Sequence, residues 1–141
     1  MQEMTQEERR AFLMEGTRTA KIGVTRRDGR PYVLPVWFVL DGDNVVFMTG
    51  ADTPRGRALR RDSRASMCVD EERPPYAFVR INGRARLGED LTEMRLWAQR
   101  IAARYMGQAV ADRYAARNAV PGELLVRLVP DDVVGRKGVA D

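Results

Sequence analysis

The chain is 141 residues long, enough for one domain on one core, and its 44% hydrophobic and 31% charged residues exclude wholesale disorder. No apolar run approaches the roughly 18–20 residues that span a bilayer, Met1–Glu8 is too acidic and polar for a signal sequence, and the lone Cys68 has no disulfide partner, so a cytoplasmic protein is expected. Histidine is absent, which excludes Ser-His and Cys-His catalysis, imidazole-ligated zinc and histidine-ligated haem, while the net charge of +4 points to an anionic partner.

In chain order, Thr5 and Glu8 have capping-box spacing and predict a helix to about Met14, ended by Gly16, with Phe12 and Leu13 turned inward. Three strands follow at short spacing: Thr19–Thr25, Tyr32–Leu40 and Val45–Thr49, separated by the turn signals Asp28-Gly29 and Asp41-Gly42-Asp43-Asn44. Pro35 interrupts the second of these, which places it either at a bulge facing a ligand or on an edge strand. Asp52 or Thr53, followed by Pro54, opens a short helix running to Asp62. Two further strands are expected at Ala65–Asp70 and Tyr76–Leu87. Asp90 opens the longest helix, whose buried face is read from Leu91, Met94, Trp97 or Ala98, Ile101 and Tyr105. Gly107 breaks it. A second helix covers about Ala109–Arg117, a sixth strand Glu123–Val129, and Asp132–Asp141 returns to a polar tail.

Chemistry concentrates between Val45 and Asp62, where a strand ends in Thr49, turns, and enters a helix carrying Arg55 and Arg57 in its first turn. Unpaired N–H groups and the positive end of the dipole make such a terminus an anion site. Arginine there is unfavourable unless an anion is present, so Arg55 and Arg57 suit a phosphate cradle. The competing reading is a solvated helix in an arginine-rich chain, since arginine supplies 22 of the 24 basic residues. With one cysteine and scattered carboxylates there is no convincing metal cluster, and an enzyme of this composition needs an organic cofactor for difficult chemistry.

The ordered segments Pro35-Val36-Trp37-Phe38, Val46-Phe47-Met48-Thr49, Thr53-Pro54-Arg55, Leu59-Arg60-Arg61-Asp62-Ser63-Arg64-Ala65-Ser66 and Cys68-Val69-Asp70 resemble the pyridoxamine 5'-phosphate oxidase-like flavin/deazaflavin oxidoreductases. Glu71–Val79 and Ile81-Asn82-Gly83 are similar to the branch of small reductases that use coenzyme F420. The likeness is firm from Gly16 to Leu87 and loose elsewhere. It implies a mainly β, six-stranded split barrel with peripheral helices over 1–141, dimeric, with cofactor sites between subunits. It implies that Pro35, Val36 and Trp37 lie beside the cofactor ring, that Met48 and Thr49 run along the ring and phosphoribityl chain, and that Arg55, with Arg57 close by, meets the phosphate. Arg136 and Lys137 would come from the partner chain. Ala58 stands where many members carry asparagine, which removes one polar contact. The activity implied is hydride transfer from reduced F420 to a small conjugated substrate. The more anionic tail of F420 relative to FMN suits the arginine surplus.

Two alternatives stay open: an FMN-dependent oxidase or reductase on the same barrel, and a flavin- or deazaflavin-binding protein without turnover. Nucleic-acid binding is disfavoured, because the basic residues are spread along the chain and no aromatic doublet accompanies Arg60-Arg61. Cys68 reads as a small core residue, Asp70, Glu71 and Glu72 as a solvated strand end, and Trp37 either as a barrel plug or as a stacking ring.

Overall fold

The computed structural model describes all residues, Met1–Asp141. Its elements are β1 (Gln2–Glu3), α1 (Gln6–Met14), β2 (Ala20–Thr25), β3 (Pro31–Val36), β4 (Val39–Asp41), β5 (Asn44–Gly50), α2 (Pro54–Arg61), β6 (Arg64–Glu71), β7 (Ala77–Gly88), α3 (Leu91–Met106), α4 (Gln108–Asn118) and β8 (Glu123–Lys137). The strands form one antiparallel sheet in the order β3-β2-β6-β7-β8-β5-β4, with β1 added to the far end of β8.

The expected strand Tyr32–Leu40 is two strands, and the break has a topological reason. β3 and β4 occupy opposite edges of the sheet, yet only Trp37 and Phe38 separate them in the chain. Seven strands laid flat would span roughly 29 Å at about 4.8 Å per step, whereas two intervening residues bridge at most about 11 Å. The sheet therefore has to curl until its edges almost meet. The result is the split barrel expected from the resemblance, with eight strands in place of the six expected because Tyr32–Leu40 divides and β1 joins β8, and with Pro35 on its edge strand, opposite Lys21.

The interior follows from alternation. β2 buries Ala20, Ile22 and Val24, β6 buries Ala65, Met67 and Val69, and these meet Val79, Ile81, Phe38 and Phe47 in one cluster. β5 is buried on both faces, because α3 lays Met94, Trp97 and Ile101 over Val46, Val39 and Leu125. Arg127 ties this layer together, pairing with Glu93 at 2.6 Å and Asp41 at 3.3 Å under the Trp97 ring. Leu91 departs from the expected stripe: it is exposed at the first turn of α3, and Trp97 and Ala98 are both buried.

Two further expectations need correction. The polar tail is strand: β8 continues through Val133 and Val134 to Lys137, paired with β7 as far as Ala77 across a register shift at Asn82/Gly83. Its polarity reflects a partly solvated ribbon whose Arg136 and Lys137 pair with Glu3 and Glu8. Glu71 is not a solvated strand end either. Arg73 and Arg18 both bond its carboxylate, holding its pKa down to about 2. Cys68 is half-buried on β6, and burial, then the neighbouring Asp70, push its thiol up and keep it protonated. No helix is long and apolar enough to cross a membrane.

Candidate functional site

A cleft of about 260 Å³ opens where the β3–β4 break, the end of β5, the start of α2 and the helical pair α3–α4 converge. The break supplies Pro35, Val36 and Trp37, β5 supplies Met48, and α2 supplies Arg55; five of the nine expected site residues thus share one wall.

Arg55 is placed by local chemistry. Thr53 caps α2, accepting from Gly56 N at 3.1 Å and donating to the Gly50 carbonyl at 2.7 Å. Pro54 then occupies the first helical position, and Arg55 turns back towards β5. Its Nε donates to Thr49 Oγ1 at 3.1 Å, and its guanidinium lies 5.9 Å from the Phe47 ring centroid. Thr49 is the one buried polar residue of the chain, and its hydroxyl orients this arginine. Arg55 Nη1 is sealed from solvent and has no hydrogen-bond partner. Burial lowers the Arg55 pKa, the expected sign for a cation lacking a counter-charge. A guanidinium with one arm fixed and the other unsatisfied in an apolar-walled cleft is set to receive an anion.

Trp37 does not plug the barrel; Phe38 does, fully buried in the core. The indole stacks on Tyr105 with centroids 5.1 Å apart and planes 3° from parallel, and meets Tyr114 at 6.4 Å. Tyr105 also holds the break itself, accepting from Phe38 N at 3.2 Å and donating to the Arg18 carbonyl at 2.7 Å. Arg104 adds bonds to the Phe38, Leu13 and Gly16 carbonyls at 2.7, 2.8 and 3.0 Å. Tyr105→Phe should therefore cost about 1–2 kcal/mol by leaving Phe38 N and the Arg18 carbonyl unsatisfied. Chemical denaturation would register this as a lower midpoint, and an unchanged midpoint would mean water replaces the hydroxyl.

Arg57 lies outside the cleft: it is exposed, and its Nη1 bonds the Asp52 carbonyl of its own turn. Arg136 and Lys137 are on the distal end of β8, beside β1, far along the strand from Glu123, which lines the cleft. The cleft also contains residues that sequence reasoning did not reach: the small and apolar Ala98, Ile101 and Ala102 of α3, Asn118 at the end of α4, and Glu123 at the start of β8. Glu123 follows Gly122, pairs with Gly50 in register, and burial raises its carboxyl pKa.

A second hollow, about 390 Å³, lies between α1 and the β8 bulge. Arg10 pairs there with Asp43 at 2.6 Å, Asp131 with Arg84 at 3.4 Å and Asp132 with Arg80 at 3.1 Å, while Arg9 donates to the Met4 carbonyl at 3.1 Å, so each charged side chain lining it already has a partner within the chain.

A curled antiparallel sheet with a cleft at its split is the architecture of a split barrel. Residues 5–136 match the family described as pyridoxamine 5'-phosphate oxidase, and the chain belongs to that family. No curated protein matches it. Among solved structures, it is similar to the conserved hypothetical protein Rv2991 from Mycobacterium tuberculosis, at 19% identity and TM-score 0.85, covering 96% of this chain and 86% of that one. It is similar to an F420 reductase at 20% identity and TM-score 0.69, covering 87% and 94% respectively. It is also similar to HutZ, the haem storage protein from Vibrio cholerae, at 17% identity and TM-score 0.74, covering 98% and 100%. At these identities the likeness is one of fold.

Proposed function

We propose that the chain is an F420-dependent oxidoreductase that holds the phosphate of the deazaflavin on Arg55 and seats its ring against the Pro35–Trp37 wall. The observation that carries this reading is the buried, unpartnered Nη1 of Arg55 beside a cleft that Pro35, Val36, Trp37 and Met48 also line. The residues fit such a group: Thr49 fixes the arginine, Trp37 is braced by Tyr105, and the small Ala98 and Ala102 leave room above the cleft floor. When bound, the deazaflavin supplies a hydride to a small conjugated substrate; the protein's part is to orient both and to limit water. The absence of histidine is no obstacle to that division of labour.

The resemblance to an F420 reductase favours this cofactor over FMN. At about 260 Å³ the cleft is smaller than the range typical for complete ligand sites, roughly 300–1,000 Å³, which favours a homodimer in which the second chain completes the site. Arg136 and Lys137 belong to that proposal as contributions to the partner's cleft.

Titrating purified protein with F420 and with FMN, each followed by fluorescence, tests the reading. F420 is expected to bind in the micromolar range or tighter, and FMN more weakly. Purification as a yellow protein with tight FMN would transfer the assignment to an FMN enzyme. Binding of neither by folded protein would remove it.

A further inference from the structure

The cleft contains two ionisable side chains of opposite sign that do not pair. Arg55 enters from α2 and Glu123 from β8, yet no ion pair joins them and the Glu123 carboxyl has no hydrogen-bond donor; only burial acts on it. In a low-dielectric site, a guanidinium and a carboxylate left to themselves gain by contact. Two such groups held apart across one hollow leave space for a third group between them. If that group is an anion, a carboxylate beside it is repelled, whereas a neutral carboxyl donates a hydrogen bond to it.

Building on the assignment of a phosphate-bearing cofactor to this cleft, we propose that Glu123 is a second anchor for the ligand's anionic group, gripping it as a neutral acid, so that binding takes up a proton from solvent. The surroundings support it. β5 presents Gly50, in register with Glu123, and Met48, α3 presents Ala98, Ile101 and Ala102, and α4 presents the uncharged Asn118. Arg55 is thus the one charged side chain that shares the cleft with Glu123, and no hydrogen bond or ion pair holds the carboxyl in its ionised form. The direction of its shift, upward through burial, agrees. Anion binding raises the pKa further, and affinity then falls with rising pH by up to tenfold per unit between the free and bound values.

Calorimetric titration with oxidised F420 in two buffers of different ionisation enthalpy, on wild type and Glu123→Gln, measures the protons taken up per ligand. The ligand's own titrations cancel in the comparison, and the glutamine amide keeps a donor in place of a carboxyl that has no partner in the folded chain. Wild type should take up more protons than E123Q, by a fraction of one per site, and its affinity should fall more steeply between pH 5 and 8, roughly tenfold more across the range. At pH 8, E123Q should bind more tightly than wild type. Equal proton uptake and parallel pH profiles in two proteins that both bind F420 overturn the role of Glu123 alone. Failure of folded wild type to bind F420 or FMN overturns the cofactor assignment and this anchor with it.

Discussion

Arg55→Ala should lower cofactor affinity about ten- to a hundred-fold, the effect of losing a charged hydrogen bond of roughly 1.5–3 kcal/mol, while leaving the folded protein nearly as stable. The asymmetry follows from the two ends of the side chain. On the protein side Arg55 has one bond, Nε to Thr49 Oγ1, and a position over Phe47. Its loss leaves Thr49 near Thr53 Oγ1, at 3.4 Å, as an alternative partner. On the ligand side Nη1 is sealed and unsatisfied, so removing it takes away a desolvated charge that contributes nothing until an anion arrives. Arg55→Lys separates charge from geometry: an ammonium cannot hold Thr49 with one arm and an anion with another, so it should recover only part of the affinity. Fluorescence titration beside thermal unfolding reads both quantities. Affinity unchanged in Arg55→Ala would mean that the anion is held elsewhere.

Local chemistry makes much of this architecture readable from the sequence alone. Thr5 and Glu8 do form the reciprocal capping box, Thr53 and Pro54 do open α2, and Gly29 sits at φ 89° in the β2–β3 turn as its Asp-Gly pair implied. Each is fixed by neighbours within four residues. The features that escaped are set by partners far away in sequence. Tyr32–Leu40 reads as one strand because its β-branched and aromatic run is continuous; only the demand that Val36 pair with Ala20, and Val39 with Val46, divides it. The stretch Asp132–Asp141 reads as a polar tail, and its first part, to Lys137, becomes strand because β7 offers a ladder long enough to recruit it. The cleft divides the same way. Pro35, Met48 and Arg55 lie on segments that carry their own signature, whereas Asn118 and Glu123 flank an α4–β8 connection that carries none. Their place beside Arg55 is decided when Gly50 registers with Glu123.

That register explains why the geometry at Arg55 is so tightly specified. Helix α2 starts only four residues after β5 ends, so the chain folds back over its own strand end. The contact is closest at Gly56, where an added Cβ would fall 2.1 Å from the Gly50 carbonyl oxygen and 2.9 Å from that of Ala51. Gly56→Ala is accordingly expected to destabilise the protein by about 3 kcal/mol, the upper range for overpacking, despite alanine's better helix propensity of about 1 kcal/mol. The atoms in the way are backbone, and no rotamer change can clear them. Relief requires α2 to lift from the end of β5, which would break the Thr53–Gly50 bond and pull Arg55 away from Thr49. The substitution should therefore weaken cofactor binding as well as stability, unlike Arg55→Ala, which separates the two. Urea unfolding of Gly56→Ala against wild type would show the loss as a lower midpoint. A midpoint within experimental error of wild type, with cofactor affinity intact, would mean that the helix start does not press on the strand end and that Arg55 owes its position to Thr49 alone.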